Sequence, residues 1–540
     1  MYWSCPANAP APGQQGMMHG CRSAPRLASF TRASIVRQAA GLGGSRSAAP
    51  ELRAPGDVVR SRGHTRVVAL KQEQGTLMNT KKIACLGAGS LYFPRAIADL
   101  VASRELAGSE LVLYDLVADK AKRMAAMGRR LAAETGTGFT VRATTRLADA
   151  VDGADFAVAS IGGSGAGITR NVYSSYHHNA DVQIGAKYGI QQIIADTGGP
   201  GAMMMAFRSI PAYLDICLEM EKRAPNAILF NHSNPMAILG RAMHKYSSTQ
   251  VIGVCHGVQG GIIELARILG LPPRELDCVW IGTNHYYWVT RLAHLGKDIH
   301  PELWRQLAVR PIPESTHISA KLSEIYGHRI LYTPDDHIIE FYPFLAQMKR
   351  GIQDLPEHLA KEARVRFPSK KVRLTGPERP SASVRAAFFR EYQKILDDTR
   401  SRTEISDTLT GEGIANIIGA IATGRRQLCV ANIANHGCVP NLPATAEVEV
   451  EAVTDSCGVR GLQMGEAPLH LKGILEKRFA WHEFVADAAV KGDRNLALQA
   501  LMLDEMAILP DKAAAMLDEL LTASKDLLPQ FFGRWKLRRG

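Results

Sequence analysis

The sequence predicts an α/β fold built on a doubly wound parallel sheet, followed by an α+β segment, and three observations predict it. The apolar run "KKIACL" enters the glycine turn "GAGS" and leaves it in the helix-periodic stretch "FPRAIADLVAS". Two more apolar runs follow, "SELVLYD" and "ADFAVASIGGSG", one stopping at an acid and the other at a glycine loop. Beyond them, "APNAILFNHSNPMAI", "QVIGVCHGVQGG" and "VWIGTNHYYWVTRL" repeat the arrangement of a buried run ending in polar residues. Short apolar runs alternating with helical stretches are the pattern of βαβ units, and the first of them is Rossmann-like.

Taken in order, the chain opens on a segment that does not read as part of that fold. Residues 1–77 include "MYWSCPANAPAPGQQGMMHG" and "GLGGSRSAAPELRAPGD", rich in Pro, Gly, Ala and Ser and without a sustained apolar period. They hold nine Arg and one Lys against three acidic residues, a net of +7. The whole chain carries +12, so only +5 falls on the remainder, and a basic face for nucleic acid is not indicated there. An Arg-rich, acid-poor leader resembles an organelle transit peptide. The preferred reading is a start-site artefact, because Met78 opens "MNTKKIACLGAGS", the usual beginning of a cytoplasmic nucleotide-binding enzyme. The segment is left out of the fold argument either way.

No run of apolar residues is long enough for a membrane helix, so no membrane partner is expected. The nine cysteines are odd in number and lack paired short spacings, which points to a reducing compartment, the cytoplasm, and away from a disulfide framework.

Residues 78–275 read as a dinucleotide-binding domain. Gly87, Gly89 and Ser90 form the turn between the first strand and its helix, where unpaired N–H groups favour a pyrophosphate. Asp115 ends the second strand, 26 residues after Gly89, and is placed to accept hydrogen bonds from an adenosine ribose. Gly162 and Gly163 form the loop suited to the nicotinamide half, so NAD is the expected cofactor. One position departs from the usual fingerprint: Tyr92 stands where the third glycine belongs.

Residues just past strand C-termini line the ligand crevice of such a sheet. Asn234, Cys255, His256, Asn284 and His285 all lie at such ends and are candidates to converge. Cys255 and His256 allow three readings: a nucleophile with its base, half of a metal site, or packing. Neighbours on an extended segment point to opposite sides, so Cys255 makes a better pair with His285 than with His256. A thiolate and an imidazole hold a divalent ion while leaving positions open for water and substrate hydroxyls. Asn234 and Asn284 are the candidates to bind substrate. Residues 276–540, with "GEGIANIIGAI", "NIANHGCVPNLP" and a helical stretch over 463–525, read as the α+β substrate domain.

Together these segments resemble glycoside hydrolase family 4, the NAD- and manganese-dependent glycosidases. The resemblance runs in order through "GAGSLYFP", "LVLYD", "ADTGGPGAMMMAFRSIP", "NHSNPMAI", "CHGVQG", "GTNHYYW", "DDHIIEFYP", "GEGIANIIGAI" and "ANIANHGCVPNLP". It implies that Cys255 and His285 bind Mn2+. It also implies a route by oxidation at C3, α,β-elimination and water addition, the known exception to the two-carboxylate mechanism. Anchored on His337 and Glu340, the base that takes the C2 proton falls on Asp335 or Asp336, with Asp335 preferred and Tyr332 a weaker candidate. His256 follows Cys255, as in members acting on unphosphorylated α-galactosides, α-glucosides or α-uronides, and is the candidate acid. Arg170, Lys187 or Arg208 would meet a uronate carboxylate. The expected assembly is a homodimer or homotetramer. The alternative is an NAD-dependent hydroxy-acid or sugar dehydrogenase, which shares the first half and would accumulate NADH.

Overall fold

Six short strands, the inner ones buried almost end to end, form the parallel core: β1 (Lys82–Leu86), β2 (Glu110–Tyr114), β3 (Thr140–Thr144), β4 (Phe156–Ala159), β5 (Ile228–Asn231) and β6 (Gln250–Gly253). The protein is described by a computed structural model over residues 80–162, 176–332, 334–344, 357, 400–408, 413–506 and 508–538. The leader, Gly163 and Arg170 lie outside the described residues. The spatial order β3-β2-β1-β4-β5-β6 reverses direction between β1 and β4, which creates a crevice at the carboxyl ends of those two strands.

Alternation along each strand explains why helices cover both faces. Ala84 and Leu86 of β1 point into one core cluster, Ile83 and Cys85 into another. The first cluster is filled by helices Gly199–Arg223, Met236–Tyr246 and Leu469–Lys491, the second by Phe93–Ala102, Ala118–Thr135 and Ile414–Thr423. In Phe93–Ala102, Phe93, Ala96, Ile97, Leu100 and Val101 fall on one buried stripe at helical spacing.

β7 (Leu276–Thr283), β8 (Tyr286–His294) and β9 (Lys297–Asp298) make a separate antiparallel sheet. β10 (Gln427–Ala434), β11 (Glu447–Asp455) and β12 (Gly458–Gly461) join the parallel sheet, antiparallel beyond β6, and bring it to nine strands. The strands beyond residue 276 thus serve two sheets, and one of those sheets is the dinucleotide-type core itself. Among the described residues, no helix is long and apolar enough to cross a membrane.

Candidate functional site

The crevice begins at the turn after β1. Gly87 sits at φ +82°, and a Cβ there would stand 2.4 Å from the carbonyl oxygen of Ser160, so only glycine lets β1 and β4 approach this closely. The amides of Gly87 and Ala88 donate to the Tyr114 carbonyl at 2.9 and 2.8 Å. Asp115 fastens the turn to the end of β2, accepting the Gly89 amide at 2.8 Å and the Val117 amide at 2.9 Å. Ser90 and Ser160 pair their hydroxyls at 2.8 Å. Tyr92 is buried at the missing third glycine, its ring stacked 4.1 Å from His232 and its hydroxyl 2.9 Å from His232 Nε2. Gly162 is exposed past the end of β4, and its neighbour Ile161 is held by Ser233 at 2.9 Å.

Four elements then deliver a cluster of donor atoms. Cys255 follows β6 directly before helix Gly257–Leu269, and His285 occupies the two-residue turn between β7 and β8. The structure brings these two together, with Cys255 Sγ 3.4 Å from His285 Nε2. His285 sits at φ 62°, an uncommon backbone for a residue with a Cβ, and the turn points its ring inward. Asp196 comes from the loop before helix Gly199–Arg223, and His337 from the short helix Asp335–Ile338. One ligand atom from each of Asp196, His285 and His337 lies within 4.8 Å of the others, and all three residues are buried.

The hydrogen bonds around the cluster assign roles to its atoms. Thr197 donates its hydroxyl to Asp196 at 2.7 Å, so its lone pairs are left for Nδ1–H of His285 at 3.2 Å. That arrangement leaves the Nε2 lone pair of His285 facing Cys255. Asn234 donates to the other oxygen of Asp196 at 3.0 Å. Burial drives His285 down to about 3, with His337 adding to the push, so its imidazole is neutral. Burial would lower His337 as well, but Asp336 at 2.8 Å, and after it Asp196, hold it up at about 9. Burial would raise Asp196, but His337, His285 and the two hydrogen bonds outweigh it and keep it ionised below the usual range. One carboxylate, two imidazoles and a thiol suit a divalent transition metal, and the neutral His285 and ionised Asp196 are in ligating form.

The remaining candidates separate. Asp335 is fully buried, and its two oxygens accept the amides of Ile318 at 2.8 Å and Ser319 at 2.9 Å, which caps helix His317–Tyr326. Asp336 bonds to His337 and borders the cluster. Tyr332 stacks on His285 with ring centroids 4.5 Å apart. His256 is half-buried at the start of helix Gly257–Leu269. Asn284, the other residue of the β7–β8 turn, is fully buried and donates to Glu449 at 3.0 Å. Arg208 forms a buried pair with Asp181, and Lys187 pairs with Glu519 at the surface. Asp196, Thr197 and the ligating potential of His337 are absent from the sequence reading. The available signal was a lone carboxylate between an apolar run and a glycine turn, "IIADTGGPG".

The family model described as "Family 4 glycosyl hydrolase" matches residues 82–271, and the model of its C-terminal domain matches residues 280–507. An alpha-galactosidase of Bacillus subtilis is 26% identical over 458 residues, covering 84% of this chain and 100% of the relative. An alpha-glucosidase of Erwinia rhapontici is 27% identical, covering 79% and 94%. The chain is similar in fold to a 6-phospho-alpha-glucosidase from gut microorganisms solved with NAD and Mn2+, at TM-score 0.65 and 20% identity, covering 84% and 99%. It is likewise similar to the 6-phospho-beta glucosidase of Thermotoga maritima solved with manganese, NAD+ and glucose-6-phosphate, at TM-score 0.63 and 20% identity, covering 82% and 98%. Two models that follow one another along most of the chain leave one conclusion: it belongs to glycoside hydrolase family 4.

Proposed function

We propose that this glycosidase hydrolyses unphosphorylated α-glycosides (α-galactosides, α-glucosides or α-uronides) with bound NAD+ and manganese. The single observation that carries the reading is the donor cluster at His285, which stands 3.4 Å from Cys255 Sγ and groups with Asp196 and His337. Gly87, Gly89, Ser90, Asp115 and Gly162 would hold the dinucleotide, and Cys255, His285, Asp196 and, once its proton is displaced, His337 would hold the metal. When bound, the two groups supply a hydride acceptor for C3 and a Lewis acid beside it.

The residues of the chain have two further tasks. A base must take the proton from C2 while the C1–oxygen bond breaks, and an acid must give the leaving oxygen a proton. We assign the base to Asp336, because it borders the donor cluster whereas Asp335 spends both oxygens on a helix end. His256 is the proposed acid. An unphosphorylated substrate is favoured because His256 follows Cys255; the pairing of Lys187 with Glu519 and of Arg208 with Asp181 weighs against these two as partners of a uronate. Free thiols, Cys255 included, favour a reducing, cytoplasmic setting. The assembly proposed with this reading is a homodimer or homotetramer, which sedimentation would read.

The test is a panel of 4-nitrophenyl α-galactoside, α-glucoside, α-galacturonide and 6-phospho-α-glucoside, with and without NAD+, Mn2+ and reductant. Hydrolysis of an unphosphorylated member that requires all three, and that places deuterium on C2 when run in heavy water, supports the proposal. Turnover confined to the phosphorylated substrate overturns the substrate assignment. Hydrolysis without deuterium at C2 overturns the elimination route. NADH accumulating without sugar release supports the dehydrogenase instead.

A further inference from the structure

Asp196 and His337 arrive from segments about 140 residues apart, and one side chain joins them. Glu340, fully buried, lies three residues after His337, at the end of the same short helical segment. Its Oε1 accepts three consecutive amides, those of Ile193 and Ile194 at 3.1 Å and of Ala195 at 2.8 Å. Its Oε2 accepts the Ala195 amide at 3.1 Å and Gln192 Nε2 at 3.3 Å. Consecutive amides can converge on one anion only if the backbone curls into a concave nest, and Ala195 adopts the left-handed conformation, φ 58°, that such a curl needs. The next residue is Asp196. Gln192 closes the loop from its other end, donating to the Gly198 carbonyl at 2.8 Å and accepting the Gly201 amide at 2.9 Å.

We infer that Glu340 is a positioning residue: its carboxylate templates the 193–195 nest and so locks Asp196 to His337 as one metal-binding unit. This role rests on the metal reading of the cluster. It adds the means by which two donors from distant segments keep a fixed separation before any ion arrives. A carboxylate is required because each of these contacts is with an N–H. An amide of the same shape would turn its own N–H groups toward donors and leave part of the nest unsatisfied.

The test compares the full-length enzyme with Glu340→Gln, Glu340→Asp and the distant capping control Asp493→Ala, whose wild-type side chain accepts the Asn495 and Leu496 amides. Mn2+ binding is measured by titration against the electron paramagnetic resonance signal of free Mn2+, and NAD+ binding by fluorescence. Hydrogen exchange of the 193–195 amides is measured in metal-free protein. Glu340→Gln is expected to weaken Mn2+ by about 10- to 100-fold, the range for partners that orient a ligand. It should also speed exchange at 193–195 and leave NAD+ affinity unchanged. Glu340→Asp, which keeps the charge but shortens the reach, should fall between wild type and Glu340→Gln, and it carries the test if Glu340→Gln does not fold. Asp493→Ala should lower the melting temperature without moving Mn2+ affinity. Wild-type Mn2+ affinity and exchange in both Glu340 variants would overturn the inference alone. Wild-type enzyme that binds no Mn2+ would overturn the metal reading beneath it. Loss of melting temperature and of Mn2+ and NAD+ affinity together in Glu340→Gln, with Glu340→Asp matching wild type in Mn2+ affinity, would reduce Glu340 to a general structural residue.

Discussion

Replacing Asp196 with Asn tests the cluster most directly, because the substitution removes one charge and almost no volume. In the structure Asp196 is flanked by His337 Nε2 at 3.9 Å and by the hydroxyl and amide donors of Thr197 and Asn234 at 2.7 and 3.0 Å. A unit charge about 4 Å from a cation is worth roughly 4 kcal/mol at an effective dielectric near 20. A metal seated among these donors lies at a comparable or shorter distance and carries two charges, while relaxation and water recover part of the loss. The expected effect of Asp196→Asn is therefore about 100- to 1,000-fold weaker Mn2+ binding, from about 1.4 kcal/mol per factor of ten. NAD+ binding should be unaffected, because the glycine turn and Asp115 lie on other strands. Titration of the free Mn2+ signal in parallel with NAD+ fluorescence reads both quantities on one preparation. Mn2+ affinity within about threefold of wild type would refute the reasoning and leave Asp196 as a hydrogen-bond hub with no ion to serve.

Other outcomes follow from the same contacts. Cys255→Ser should lose Mn2+ and nearly all hydrolysis while NAD+ still binds; full activity would remove Cys255 from the mechanism. Asp115→Ala should weaken NAD+ by about 1–3 kcal/mol, the range for hydrogen bonds to a charged group, and fluorescence titration measures it. Asp336→Asn should abolish both hydrolysis and C2 exchange at saturating Mn2+ with NAD+ still bound, and should weaken Mn2+ itself because the carboxylate orients His337, whereas Asp335→Asn should cost about 1 kcal/mol of stability in thermal unfolding and little activity. The reverse result would return the base to Asp335.

How much of this was legible in the sequence depends on how local the signal is. The strand ends were legible because apolar runs stopping at Gly87, Asp115, Asn234 and Cys255 are local patterns, and each run is a strand or its immediate end. The roles of Asp335 and Asp336 were not, because adjacent carboxylates look alike until one of them meets amides 16 and 17 positions upstream. Asp196 was hidden for a related reason: "QQIIAD" reads as another apolar run, yet the chain there is an irregular loop shaped by Glu340, over 140 positions away.

The alternation "EVEVEAVTD" carried a false implication that only tertiary structure corrects. Period-two alternation of Glu and Val reads as a strand with one wet face. In β11, Glu447 and Glu449 are nonetheless fully buried: the Glu447 carboxylate meets His244 of helix Met236–Tyr246 at 3.0 Å, and the Glu449 carboxylate lies under the β7–β8 turn. Trp280 donates to the Glu449 carbonyl at 2.8 Å, Thr283 to the Glu447 carbonyl at 2.8 Å, and Asn284 to the Glu449 carboxylate at 3.0 Å. These three bonds fasten the hairpin up to the residue before His285. One carboxylate on β11 therefore acts for His285 as Glu340 acts for Asp196: buried Glu449 accepts a bond from Asn284, the residue before the ligand, while the other two bonds end on β11 carbonyls. This explains why strands from the second half of the chain extend the parallel sheet. β10 and β11 carry the crevice floor outward from β6, where Cys255 emerges, to the platform that holds His285 within 3.4 Å of it.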